Sequence, residues 1–327
     1  MGSPLPVLLS FLAGAAGSAI IYGAGRAIGL MDMPAERSSH TVPTPRGAGA
    51  GIVAAVVTAA YFSGDITFAL ILAGVGLFGF FEDIIGLPVA LRLIIYLVLS
   101  SLLAVSVLGL PDSAVSVIIF LFWVLFVAGT ANIYNFMDGI NGMAGLTGIV
   151  GFGLISIFAY ISGSGLFVLG IVTMLACMGF LPFNFPKGRV FMGDVGSIFL
   201  GFLFASFVLK LSNGVEAFLS MSAFLGTFYA DAIITILCRA GRGENIFMAH
   251  RNHLYQYLSN DLGIPHWKVS LGYASVLALL GILSLFSYTR RIVPQLAVSC
   301  LFIILSAVTY RSIKRIPNGG MNASKQL

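Results

Sequence analysis

Charge is scarce in this sequence. Lysine, arginine, aspartate and glutamate together make up 9% of the 327 residues, while apolar types reach 58%. An ordinary soluble domain is about one-quarter charged. No soluble fold can hide so much apolar surface, which leaves the bilayer as the solvent. Cysteine is nearly absent: Cys177, Cys238 and Cys300 lie far apart, each inside an apolar stretch. That excludes a disulfide framework and metal-ligand spacing and leaves three small core hydrophobes. The first 25 residues hold no charge, and the first basic residue is Arg26. A cleaved signal peptide carries positive charge before its apolar run, so residues 4–26 read as a retained spanning helix with the N-terminus outside. Internal repeats, low-complexity tracts and a soluble domain are also missing. The net charge of +5 is no sign of nucleic acid, because in membrane proteins basic residues set orientation.

What is present is a series of apolar runs punctuated by charge. After the first come 47–64, 66–81, 93–111 and 113–137. The 48 uncharged residues 139–186 are too long for one span and are divided by Ser162-Gly163-Ser164-Gly165. Runs 195–209, 217–238, 269–289 and 292–310 complete the set. Most approach the roughly 20 residues that a bilayer demands. The expected fold is a single integral membrane domain over 1–327, an all-α polytopic bundle of about 11 transmembrane helices. Basic residues orient it: segments 27–47, 82–92, 131–143, 183–197 and 239–268, the tail after Tyr310, and Arg26 hold 14 of the 17. Only Lys210, Arg290 and Arg291 fall elsewhere. This bias places those segments and the C-terminus in the cytoplasm.

Other polar groups follow the same partition. Eight of the 12 carboxylates (Asp32, Glu36, Glu82, Asp83, Asp138, Asp194, Glu244, Asp261) and all four histidines belong to these segments or the helix ends bordering them. Asp231 alone interrupts a span, and a role in supporting structure is its expected part. Within the segments, four clusters stand out. Glu82-Asp83 closes the third apolar run; two solvated charges at a helix end are the plainer alternative to a site. Asn132, Asn135 and Asp138 recur every three residues, so a helix would gather them on one face, offering the hard oxygen ligands that Mg²⁺ prefers. Gly193-Asp194-Val195-Gly196-Ser197 can present a carboxylate and backbone N–H groups to one ligand. Phe191 beside it can stack on a base, though membrane-interface anchoring is the commoner use of such a ring. Last, Arg239, Arg242 and Glu244 precede His250-Arg251-Asn252-His253, whose cationic donors suit a pyrophosphate.

Taken together, these segments resemble the polyprenyl-phosphate N-acetylhexosamine-1-phosphate transferases. The resemblance rests on Pro43-Thr44-Pro45-Arg46-Gly47, Glu82-Asp83, Asn132-x-x-Asn135-x-x-Asp138-Gly139-Ile140-Asn141-Gly142, Phe191 to Ser197, and His250-Arg251-x-His253. They occur in family order over almost the whole chain. The last, extended to Leu254-Tyr255-Gln256, is most similar to the O-antigen-initiating branch. One departure is Glu82, where the family usually has aspartate.

The resemblance implies an enzyme of the bacterial inner membrane, working on its cytoplasmic face. It would join the sugar 1-phosphate of a UDP-N-acetylhexosamine to undecaprenyl phosphate, with Mg²⁺ as cofactor and Mn²⁺ as an alternative. The sugar would be N-acetylglucosamine or a 6-deoxy relative, and a homodimer is compatible with it. Asp194 and Asn135 look like metal ligands. Glu82, Asp83, Asp138, Asp194, His250, Arg251 and His253 look catalytic. Arg46, Arg92, Asn132, Asn141, Phe191 and Arg242 look like substrate-binding residues, with Phe191 against the uracil. The rival readings are a secondary transporter and a lipid-linked-sugar flippase. Transporters place ionisable residues near the midplane of matching halves, and no halves match here, while a flippase would not need the metal-and-phosphate constellation.

Overall fold

The computed structural model describes residues 5–34, 38–245, 251–288 and 292–316. Its order is α1 (Leu5–Ala24), β1 (Met31–Asp32), β2 (Thr44–Pro45), α2 (Ala50–Phe62), α3 (Ile66–Ile85), α4 (Val89–Leu108), α5 (Ala114–Phe136), α6 (Met143–Ile161) and α7 (Leu166–Asn184). Then follow α8 (Asp194–Leu211), α9 (Val215–Ala223), α10 (Gly226–Ala240), α11 (Leu254–Gln256), a π turn over Tyr257–Asp261, α12 (His266–Tyr288) and α13 (Ile292–Lys314). The chain is therefore an all-α polytopic membrane protein, with one two-residue hairpin pairing β1 and β2.

Every apolar run forms helix, but not every run forms a full span. Among the described residues nine helices are long and apolar enough to cross a membrane, or ten if the pair α9–α10 counts as one. That pair meets at an 87° break, where Leu225 leaves helical geometry at φ −126°, ψ 17°. Helix α2 has 13 residues, about 20 Å of rise against a hydrocarbon core of about 30 Å. It is short because residues 47–49 are drawn into contact with Phe191 and Met192 instead of extending the helix: Ala48 and Gly49 donate to their carbonyls at 3.1 and 2.9 Å.

Local signals set the other ends. Asp65 caps α3 by accepting from the Phe68 amide at 3.0 Å, and Gly86 closes it in the left-handed region at φ 68°, the usual helix stop. Pro88 then opens α4, a residue that suits a helix start because its missing N–H would have no partner there. The Ser113–Ser116 capping box opens α5. Helix α8 is central, with 83% of its residues buried, whereas only 6% of the most apolar stretch of α13 is. Glycines let α8 sit close to its neighbours. A Cβ on Gly49 would lie 2.3 Å from the Gly196 Cα, and one on Gly79 would lie 2.8 Å from the Val195 Cα. Such close backbone approach is how helices pack where lipid removes the hydrophobic drive between them. It also brings the end of α3, the start of α2 and the start of α8 to one place.

Candidate active site

The first turn of α8 is the centre of that place. Its leading amides, from Asp194 and Val195, donate to the Asp83 carboxylate at 3.0 and 3.1 Å. Both oxygens of a buried carboxylate on α3 are thereby committed to a helix N-terminus, where the macrodipole favours negative charge. Arg46 reinforces the pair, donating through Nη2 to the Asp83 carbonyl at 2.6 Å while its Nε stands 3.8 Å from Oδ1. Gly193 is required here: at φ 75° a Cβ would fall 2.4 Å from Asp83 Oδ2 and 2.7 Å from the Gly47 amide nitrogen.

Glu82, one residue earlier, turns to α4. It forms a short ion pair with Arg92 and accepts from Tyr96 Oη at 3.1 Å. Arg92 lies in the first turn of α4, inside the helix and not in the connection before it. It also reaches Asp194, with Nη1 3.7 Å from Oδ2. On the other side Asn135 donates to Asp194 Oδ1 at 2.6 Å and to Ser197 Oγ at 3.1 Å. Helix α5 ends at Phe136, so Asp138 lies in the following turn and not on a continuous helical face with Asn132 and Asn135. No hydrogen bond reaches the Asp138 carboxylate from the described residues. Desolvation, then the charges of Asp194 and Asp83, push it well above the usual carboxylate range. Asn132 is spent locally, donating to the Ala128 carbonyl of its own helix at 2.8 Å.

Charge and donor type both fit a hard divalent cation. The carboxylates of Glu82, Asp83, Asp138 and Asp194 outnumber the guanidinium groups of Arg46 and Arg92, and a divalent cation among them would favour the ionised forms that their mutual crowding opposes. Among the described residues no three His, Cys, Asp or Glu side chains form a ready metal cage. An ion here would take Asp194, Asn135 through Oδ1 once its amide is turned, phosphate oxygens and water. Mg²⁺ is commonly bound that way, by one or two carboxylates with substrate phosphates.

Two loops close over this end. Phe191 bridges to Arg46 as an isolated parallel pair and donates to the Pro45 carbonyl at 2.8 Å. Its ring meets His40 edge-on at 4.9 Å. Asn184 pins the other loop, accepting from the Gly142 amide at 2.6 Å and donating to the Val190 carbonyl at 2.9 Å. Asn141 lies against the same loop, 3.4 Å from the Pro186 carbonyl.

The segment after α10 is held separately. His253 is buried and stands 3.4 Å from Asp231 Oδ1. Arg251 is exposed, and His250 lies outside the described residues. Arg242 is not gathered into the cluster; it is exposed and pairs with Glu244 at 3.7 Å. Glu244 is held below the usual carboxylate range first by its Arg239 hydrogen bond. Two tyrosines, Tyr96 and Tyr255, also tie these elements together. Tyr255 is fully buried and donates to the Phe136 carbonyl at 2.9 Å, joining this segment to the turn behind Asn135. In sequence Tyr96 reads as an apolar ring within its run, and Tyr255 as part of the Leu254-Tyr255-Gln256 extension of the histidine motif.

Comparison with known proteins finds likeness over part of the chain. Residues 66–212 match the model of glycosyl transferase family 4, a stretch that holds Glu82, Asp83, Arg92, Asn135, Asp138 and Asp194. Phospho-N-acetylmuramoyl-pentapeptide-transferases of Staphylococcus aureus strains JH9, Newman and Mu50 are 26% identical over 184 residues, covering 54% of this chain and 54% of each relative. The chain thus matches about half the length of these curated relatives. With nine candidate spans among the described residues, the chain is a multi-pass membrane protein similar to glycosyl transferase family 4 and to these phospho-sugar transferases.

Proposed function

We propose that this protein transfers an N-acetylhexosamine 1-phosphate from its UDP-sugar to undecaprenyl phosphate, releasing UMP and leaving a diphosphate-linked lipid sugar. The observation that carries the reading is the meeting of Glu82, Asp83, Asp194, Arg46 and Arg92 at one end of a membrane bundle. That is where a lipid phosphate, which cannot leave the bilayer, meets a nucleotide that cannot enter it. A lipid phosphate oxygen bonds to the β-phosphorus that carries the sugar. The bond from that phosphorus to the α-phosphate oxygen breaks, and UMP departs. Nothing in this step needs a covalent protein nucleophile.

Asp194 and Asn135 would hold Mg²⁺, which neutralises pyrophosphate charge when bound. Arg92 would meet phosphate oxygens beside Asp194, and Arg251 and His253 would serve the pyrophosphate. Phe191 offers its face to uracil. Asp138, near Asp194 in the same field, completes the acidic wall. The basic-residue bias supports a cytoplasmic site in a bacterial inner membrane, where UDP-sugars are found. The likeness of the His250–Gln256 segment to the O-antigen-initiating branch supports N-acetylglucosamine or a 6-deoxy relative as the sugar, in surface polysaccharide synthesis.

Purified protein given a UDP-N-acetylhexosamine, undecaprenyl phosphate and Mg²⁺ is expected to release UMP, and chelation of the metal to stop it. Asp194→Asn is expected to lose at least about 100-fold in rate while remaining folded in the membrane, the scale of losing one preorganised electrostatic group. Release that is indifferent to the lipid acceptor, or full activity in Asp194→Asn at low Mg²⁺, would remove the reading.

A further inference from the structure

Asp231 is a charged residue that the transfer step does not use. It sits within α10, 4% exposed. Its Oδ1 accepts from the Leu254 amide at 2.8 Å and from Thr235 Oγ1 at 3.2 Å. Its Oδ2 accepts from the Tyr255 amide at 3.1 Å and from Tyr273 Oη at 2.6 Å. His253 Nδ1 lies 3.4 Å from Oδ1, and the two side chains are 3% and 2% exposed. A buried carboxylate costs several kcal/mol unless donors surround it, and here they come from α10, α11 and α12. Two of the four are main-chain amides of the residues directly after His253. One carboxylate thus faces both the ring of His253 and the backbone that carries it.

The contact continues toward the acidic cluster. Tyr255, whose amide Asp231 holds, donates through its hydroxyl to the Phe136 carbonyl at 2.9 Å. It packs so tightly on the next turn that a Cβ on Gly139 would lie 2.1 Å from that hydroxyl. From the other side Lys314 donates to the Asn252 carbonyl at 3.1 Å. The stretch 252–255 is therefore held from α10 and α13 and abuts the turn after Asn135.

We propose that Asp231 is a positioning residue for phosphoryl transfer: from inside the bundle it holds His253 with its proton on Nδ1 and seats the Arg251–His253 segment against the Asn135–Asp138 end of α5. The proposal rests on the transferase reading. A carboxylate facing Nδ1 fixes the tautomer and leaves Nε2 as the nitrogen that can accept, release or donate a proton toward phosphate. A carboxylate that merely capped α11 would set no tautomer.

The test uses the full chain in lipid nanodiscs, labelled with ¹⁵N-histidine, with His253 assigned through His253→Asn. The expected spectrum has wild-type His253 protonated at Nδ1, moved toward the Nε2-protonated form in Asp231→Asn, with the other histidines unchanged. An unprotonated Nδ1 in the wild type overturns the proposal, including where Asp231→Asn does not fold. This spectrum needs no substrate, so it stands apart from a failure of the transferase reading. In the UMP-release assay, Asp231→Asn is expected to lower kcat about 10- to 100-fold with KM for the UDP-sugar changed less than about twofold. The double variant with His253→Asn should be no slower than His253→Asn alone. Losses that multiply would make Asp231 a structural cap only.

Discussion

Asp83 shows what the residues of this site are arranged to do. An acidic residue beside a nucleophile invites the role of general base, but its two oxygens are already occupied by the Asp194 and Val195 amides. The proposed nucleophile is a phosphate monoester with a second pKa of about 6 and so is mostly dianionic at neutral pH. Removing a proton that is seldom there gains little. Asp83→Asn would instead turn an amide N–H toward an α8 N–H and loosen the helix start. The expected result is a loss of rate by a factor that stays constant from about pH 6 to 9, whereas a lost base would be replaced by solvent at high pH. Recovery of the variant at high pH, with metal saturation checked throughout, would contradict this.

At the same scale, the sequence showed some residues and concealed others for identifiable reasons. Glu82 and Asp83 are legible as a pair of adjacent carboxylates closing an apolar run, but the sequence does not separate a site from two solvated charges; their burial does. Arg92 reads as part of a connection because the apolar pattern resumes only at Leu93, while α4 starts at Val89, four residues earlier. Asn132 shares a spacing with Asn135 but back-bonds to Ala128, a local choice that spacing does not reveal. Tyr96 is hidden because a hydroxyl at the tip of an apolar ring within an apolar run leaves no mark on hydropathy, and the motif that contains Tyr255 does not reveal its bond to Phe136.

Among the elements, the junction of α2, α3 and α8 depends on glycine. Gly193 combines a positive φ with a site where an added Cβ would meet the Gly47 backbone, and backbone cannot swing aside as a flexible side chain could. With φ 75° and ψ 171°, Gly193 lies in a backbone region that essentially only glycine enters, at a cost of about 1–3 kcal/mol to other residues. Gly193→Ala is expected to lower Tm and to reduce UMP release more than tenfold, roughly the effect of that strain acting on the active conformation. Gly129→Ala, where nothing lies within 4 Å, is the control and should keep activity. Equal behaviour of the two variants would mean that the α8 turn tolerates displacement. The apolar runs were legible as helices, but the shortness of α2 and the α9–α10 break were not. Both depend on tertiary contacts and backbone geometry that composition does not encode.

For the whole molecule, orientation is the property that gives the site its substrates. The expected placement has the N-terminus outside and the C-terminus inside. Lys210, one of the few basic residues on the other side of that division, is bonded to Asp65 at 2.7 Å and lies 4.4 Å from the Phe68 ring centroid. Local pairing thus gives its position a cause other than topology. Reporter fusions after Leu110 and after Ile316 are expected to lie on opposite sides of the membrane, the first outside; matching sides would overturn the orientation. Asp231 also weighs against a transport role at this scale. Its oxygens are bound to the α11 backbone and Tyr273, so it is part of a fixed structural joint.

The central claim concerns which bond breaks, and one labelled substrate tests it. A UDP-N-acetylhexosamine carrying ³²P in the β-phosphate, incubated with the purified protein, undecaprenyl phosphate and Mg²⁺, is expected to deliver its label to the lipid phase while unlabelled UMP appears in water. Label remaining in aqueous UDP while the sugar alone reaches the lipid would contradict the account, because the α–β phosphate bond would then be intact.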